Sequence, residues 1–231
     1  YDIEKPTLAT LYDMETAGAL LDADQMGSVG EYVSEMLARL REQLTREHDF
    51  NGNPASNPAV VQHLRNRLKV VDFPRYTEKA GEPSVDQASL LRIVGAQSLD
   101  DLAVLMMTEP SFLRGFVHTL LVHRELARTK SLYTNKLPAM RDLSGRIHTT
   151  YQQTVTATNR LSSKSPNLQN VAGRTPLGQR IRGAFVAAPG KVLVRADASQ
   201  IEPRIFAHYT QEPAMLRAYR RGQDVYESVV A

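Results

Sequence analysis

From Asp24 to about His48, Val29, Tyr32, Val33, Met36, Leu37, Leu40 and Leu44 recur at spacings of three and four residues. An apolar stripe of that period predicts one long amphipathic helix. Before it, Leu8, Leu11, Met14 and Ala17 follow Pro6 at helical spacing and stop at Gly18, which predicts a helix over 5–17. A short LLD run separates the two. The cluster FNGNPASNP reads as a turn, and Val60, Val61, Leu64 and Leu68 start another helix behind it. Three more helices fit 84–95, 98–107 and 110–129, the last carrying Phe112, Phe116, Leu120 and Leu126. YTEKAGEPS reads as an exposed tip, with Lys79 placed to touch a phosphate backbone.

After Tyr133 the period changes from helical to alternating. RIHTTYQ, TVTATN and KVLVRA are short β-branched runs separated by Ser, Pro, Asn and Gly, so each is expected to be a strand. Arg180 and Arg182 flank Ile181 with period two and would share one face of a strand. Helices return at 199–209, 212–221 and from Asp224 onward. The expected architecture is α+β: a mostly helical first part followed by a small antiparallel sheet. There is no internal repeat.

Charge sharpens the division. The net charge of +3 is unevenly spread: residues 1–135 hold 14 basic and 19 acidic groups, residues 136–231 hold 14 basic and 6 acidic. The 54 residues 143–196 contain neither Asp nor Glu, yet hold eight cations, Arg146, Arg160, Lys164, Arg174, Arg180, Arg182, Lys191 and Arg195. A basic, polar, loop-rich tract suits a polyanion, and the second half is the candidate nucleic-acid face. The tract ends on one acid, Asp197. Cysteine is absent, which excludes disulfides, thiolate metal sites and a cysteine nucleophile, so any metal would be held by oxygen or imidazole. The six histidines, His48, His63, His118, His123, His148 and His208, have no metal-ligand spacing and read as structural or surface groups. No run approaches the ~18 apolar residues of a membrane span and no basic-then-apolar leader is present, so an intracellular, soluble protein is expected. The chain starts at Tyr1 and stops within an apolar-periodic stretch, so both ends read as cut.

Several ordered blocks then agree with one family. TATNRLSS, SPNLQN, RTPLGQRIRGAF and DASQIEPR resemble the T-x-TGRLSS, PNLQN and DYSQIELR stretches of family A DNA polymerases, the bacterial DNA polymerase I family. The resemblance extends more thinly upstream through EKPTLATLYDMETAGALLD, FNGNPASNP, YTEKAGEPS and HRELARTKSLY. It implies a palm-adjacent helix and strand at 1–22, a helical thumb at 23–135, a palm portion at 136–209 and the start of helical fingers at 210–231. The function it implies is template-directed DNA synthesis, with primer-template DNA and deoxynucleoside triphosphates as partners, two Mg2+ ions as cofactors and further fingers and palm segments, on the same or a separate polypeptide.

By the same resemblance, Asp197 would be the catalytic metal ligand, joined by the backbone carbonyl of Ala198. Glu202 and Gln200 would meet the incoming nucleotide, Glu202 excluding a 2′-hydroxyl and so favouring DNA over RNA synthesis. Arg160 would reach the minor groove at the primer end, and Asn167, Gln169, Asn170 and Arg174 would continue the DNA-contact track. Lys130 and Ser131 would touch DNA phosphates. Three positions depart from the family pattern: Asn159 and Ala198 replace a Gly and a Tyr, and Pro203 replaces a Leu. Asn159 tolerates left-handed backbone, so the turn is expected to survive.

Bland readings stand beside these. Asp197 could merely cap a helix, Ser199-x-x-Glu202 is also a capping-box pattern, and Pro203 would fall at the fourth position of the helix it helps start. A two-metal site needs a second carboxylate, for which Asp224 and Glu227 qualify on composition alone. The alternative function is therefore a noncatalytic DNA-binding module, or one piece of a split polymerase. An acid–base pair of Asp197 and Glu202 in a hydrolase has no supporting pocket motif.

Overall fold

The computed structural model describes residues 3–78, 81–171 and 173–226, so Lys79 and Glu227 lie outside the described residues. It divides into two compact units, residues 1–188 and 189–231.

In the first unit, helix α1 (Glu4–Ala17) ends at Gly18, whose φ of 58° favours glycine. A side chain there would also collide with His148, since an added Cβ would lie 2.7 Å from that ring. Strand β1 (Ala19–Leu20) leads to α2 (Ala23–Arg46), capped by the Asp22 carboxylate on the Gln25 N–H. Ser56, Asp86, Ser98 and Ser111 make the same kind of cap for α3 (Asn57–Asn66), α4 (Gln87–Ile93), α5 (Leu99–Thr108) and α6 (Phe112–Thr129). The five helices predicted between 5 and 129 other than α2 and α2 itself are thus all present, each within a few residues of its expected bounds.

Two apolar cores form. One gathers Leu44, Phe50, Leu64, Leu90, Leu102 and Phe116; the other gathers Leu21, Met26, Val29, Leu137, Ile147 and Ile181. Helix α2, about 36 Å long at 1.5 Å per residue, enters both: Met26, Val29 and Val33 in the second, Leu44 in the first. Helix α6 does the same, with Phe116, Val117, Leu120 and Leu121 in the first core and Leu126 against the second. Between the turn cluster and α6, the Arg124 guanidinium donates to the carbonyls of Pro54 (2.7 Å) and Val85 (2.6 Å) and to Asn57 Oδ1 (3.3 Å).

Helix α6 continues without a break into a π-helical turn, Lys130–Asn135, and then α7 (Lys136–Ala139). Strand β2 (Arg146–Ile147) pairs antiparallel with β1, and β3 (Thr150–Gln152) with β4 (Ser162–Lys164). An isolated bridge joins Leu21 to Phe185, and α8 (Pro176–Gly183) follows the polar loop. The α+β class holds, with two small antiparallel sheets.

Three local expectations are corrected. TVTATN is a series of bends and a turn rather than a strand, ending at Asn159 in the left-handed region (φ 56°). Arg180 and Arg182 lie on α8, a helix capped by Thr175 on the Gly178 N–H, where residues two apart point to opposite sides. Arg180 stacks over Tyr32, 4.8 Å from its ring centre, and Arg182 donates to the Val171 carbonyl. KVLVRA is unpaired and outside any regular element: no described segment accepts or donates a ladder bond to it, and Val192, Leu193 and Val194 are 70–86% exposed. β-Branched residues favour extended backbone, but only a partner makes that backbone a strand.

The second unit holds α9 (Ile201–Thr210) and α10 (Pro213–Arg220), joined through Gln211 in the left-handed region. Ala207 and Ala218 are buried, and the Arg204 guanidinium lies over the Tyr219 ring at 4.4 Å.

Candidate nucleic-acid interface

The polar tract folds around its own backbone. Thr156 Oγ1 donates to the Arg160 carbonyl (2.5 Å), closing the turn at Asn159 and leaving Arg160 on an exposed shoulder. Asn167 Oδ1 accepts from Ser163 Oγ (3.0 Å) and from the Gln169 N–H (3.1 Å). Gln169 Nε2 donates to the Leu161 carbonyl, and buried Thr149 donates to the carbonyls of Lys164 and Pro166. These bonds replace a ladder that such short strands do not supply. The same Asn167 and Gln169 expected to touch DNA therefore also hold the loop that carries them.

Asn167, Gln169, Asn170 and Arg174 are exposed and come together in the walls of two clefts. One, about 440 Å³, includes Gln169, Asn170, Arg174 and Arg182; the other, about 470 Å³, includes Asn167, Asn170, Arg128 and Lys136. Both share Glu125, Thr129, Asn170 and Val171, so α6 forms a common wall. Lys130 and Ser131 begin the π-helical turn, as the last turn of the long helix was expected to end, with Ser131 exposed and Lys130 half-buried. Arg128, Lys136 and Tyr133, whose hydroxyl donates to the Asn170 carbonyl at 2.8 Å, escaped the sequence reading. Arg128 and Lys136 had a visible signal, since they bracket the Lys130–Ser131 pair with cations; Tyr133 had none.

A further network anchors α1 to the sheet. His148 Nδ1 meets the Glu15 carbonyl at 2.7 Å and its Nε2 meets Asp142 Oδ2 at 3.0 Å. Asp142 also accepts from Ser144 and from the Arg146 N–H. The Arg146 N–H, His148 and Ser144 hold the Asp142 carboxyl far below the usual carboxylate range, and the Glu15 carbonyl, then Asp142, raise His148 above an ordinary imidazole.

Within the second unit, Asp197 and Ala198 lie on exposed irregular chain rather than at a strand end. Gln200 takes the left-handed region (φ 53°, ψ 41°) and is the helix N-cap without a side-chain cap. That moves the helix start past Ser199, so the Ser199–Glu202 capping box does not form; Glu202 is exposed in the first turn. Pro203 is the third helical residue, where its missing N–H has no intrahelical acceptor to lose. The Ser199 carbonyl instead accepts from Arg204 Nε at 2.9 Å.

Asp197 and the Ala198 carbonyl offer one carboxylate and one carbonyl oxygen, and among the described residues no group of three or more His, Cys, Asp or Glu could hold a metal ion. These residues do not by themselves fit a two-magnesium site. No helix among the described residues is long and apolar enough to cross a membrane.

A helical lobe beside a cationic, loop-built platform defines the class, and comparison with known proteins gives the family. The sequence profile of DNA polymerase family A matches residues 23–231. The chain is 36% identical over 229 residues to the thermostable DNA polymerase I of Thermus thermophilus, covering 98% of this chain and 25% of that protein. It is 37% identical over 235 residues to DNA polymerase I of Pseudomonas aeruginosa, covering 100% of this chain and 23% of that protein. Its fold matches the POL domain of Pol1 from M. smegmatis, solved in complex with DNA primer-template and dNTP, with a TM-score of 0.74, 30% identity, and coverage of 98% of this chain and 37% of that one. The chain belongs to DNA polymerase family A, and spans about a quarter of the length of these curated relatives.

Proposed function

We propose that this chain is the thumb and first palm portion of a DNA-directed DNA polymerase that extends a primer with deoxynucleotides. The observation that carries it is the family match running unbroken across the helical lobe, the polar platform and the Asp197 segment. Residues 23–135 form the thumb, 136–209 the palm portion, and 210–231 begin the fingers. Arg160, Asn167, Gln169, Asn170 and Arg174 take the primer-template from the platform, with Lys130 and Ser131 on adjoining phosphates. The exposure of Asn167, Gln169, Asn170 and Arg174 in two adjoining clefts supports that role; Arg160, Lys130 and Ser131 lie outside the cleft walls. Side-chain amides and guanidinium groups suit the acceptors that every base pair presents in the minor groove.

Asp197, with the Ala198 carbonyl, contributes oxygen ligands to a magnesium site that other residues complete. Bound there, the metal would stabilise charge on the transferring phosphate. Glu202 and Gln200 face the sugar of the incoming nucleotide. With one such carboxylate in place, the 231-residue chain alone binds primer-template DNA without extending it.

The test is primer extension by the 231-residue chain and by a longer polypeptide that completes the matched family's length. Only the longer protein should extend. In it, Asp197→Asn should abolish extension and leave primer-template binding within about twofold. Retained extension by the variant would remove Asp197 from the chemistry. A second reading is a DNA-binding piece of a split polymerase, whose remaining segments lie on a separate polypeptide. Extension restored by adding a separate polypeptide with the remaining segments would support it.

A further inference from the structure

Among the described residues the Asn167–Val171 loop has no strand partner, so its shape depends on what captures its peptide groups. Its first half is held from within by Asn167 Oδ1 and from β4 by Ser163 Oγ, both accepting from the Gln169 N–H. Its second half is held from outside: Tyr133 donates to the Asn170 carbonyl at 2.8 Å and Arg182 to the Val171 carbonyl at 3.0 Å. Two consecutive carbonyls are thus gripped by two different elements, the π-helical turn and α8.

The π-helical turn makes the Tyr133 grip. One extra residue per turn rotates everything beyond it by roughly 100° relative to a continuous α-helix. The turn is built in: Thr134 Oγ1 donates to the Lys130 carbonyl, and α2 has Gly30 against Thr134, where an added Cβ would lie 3.3 Å from the threonine Cβ. Tyr133 is half-buried, with its ring packed against the second core and lining one cleft, while Asn170 is exposed and lines both.

We propose that Tyr133 is a positioning residue for DNA binding: it acts through Asn170, fixing that residue's peptide so that its side chain addresses the duplex, and does not itself contact DNA. This rests on the reading of the platform as a primer-template surface. A phenol hydroxyl already committed to a backbone carbonyl, on a ring packed into a core, is poorly placed to serve as a nucleic-acid contact.

The experiment is a double-mutant cycle on the 231-residue chain, using fluorescence anisotropy of a labelled primer-template duplex at several salt concentrations. Tyr133→Phe keeps the ring and its packing, and a melting curve confirms the fold. Wild type should bind, more weakly as salt rises. Tyr133→Phe and Asn170→Ala should each weaken binding about fivefold, the scale of one neutral hydrogen bond. The double variant should be no weaker than Asn170→Ala alone, and the salt slope should not move, because no cation is lost. Multiplying effects in the double variant would mean that Tyr133 acts independently of Asn170 and would overturn the proposal. So would a Tyr133→Phe variant that binds like wild type. Both outcomes leave the primer-template reading standing; failure of wild type to bind the duplex would end that reading, and this proposal with it.

Discussion

At the scale of single residues, the platform depends on a few positions where backbone geometry or a buried cation leaves little choice. Asn159 stands at φ 56°, a region where glycine is unstrained and β-branched residues are not. Asn159→Gly should leave the melting temperature nearly unchanged or raise it, whereas Asn159→Val should cost about 1–2 kcal/mol, measured by urea unfolding. Arg124 satisfies three acceptors drawn from two loops, and burial pulls its pKa down without neutralising it. Arg124→Leu should destabilise the chain by roughly 3 kcal/mol, because the Pro54 and Val85 carbonyls would be left to find other partners. Asn159 was legible in the sequence because its left-handed tolerance is a property of the residue type. The reach of Arg124 was not, because its partners lie 39 to 70 residues away.

At the scale of elements, the long helices were readable, α8 was not, and of the runs expected as strands only RIHTTYQ holds any, in β2 and β3. The stripes of α2 and α6 repeat over many turns, and each repetition reinforces the period. The strands here have two or three residues, too few for alternation to be distinguished from the same residue types in bends, as in TVTATN. The π-helical turn has no compositional mark at all, so neither it nor the Tyr133 bond could be read in advance. Helix packing also sets a pH response. His48 is 6% exposed, edge-on to Phe112 and Phe116, with Nε2 3.4 Å from Thr119 Oγ1; His63 packs on Phe50 and Phe116. His48 Nδ1 and His63 Nε2 are buried without a hydrogen-bond partner among the described residues. Burial lowers both pKa values, as it does for His118 and His123. The unfolded chain therefore binds protons first, below about pH 6.5, and stability should fall as pH drops from there toward the lowered folded values. His148 works in the opposite sense: its raised pKa adds stability below about pH 6.5 that is lost as pH rises through the folded value. Thermal melts from pH 8 to 5 should show a net decline on the acid side that His48→Leu reduces.

At the scale of the whole molecule, the fold class and the family were legible from pattern and ordered blocks, while the state of the Asp197 segment was not. KVLVRA has the composition of a strand, yet Val192, Leu193 and Val194 stand exposed without a ladder. An exposed apolar run with the composition of a strand and no ladder partner among the described residues invites association. Val192→Lys with Val194→Lys should therefore reduce concentration-dependent light scattering by the 231-residue chain while changing its melting temperature by no more than about 2 °C. An unchanged scattering curve would show that these valines are not where association starts.

The two long helices leave a different signature on the first unit. Since α2 and α6 each insert side chains into both cores, neither core is able to loosen while the other keeps its shape. Heat would then meet no seam along which residues 3–188 come apart in stages: a cavity cut at Phe116 and one cut at Met26 would lower the same single transition, and its calorimetric and van't Hoff enthalpies would agree.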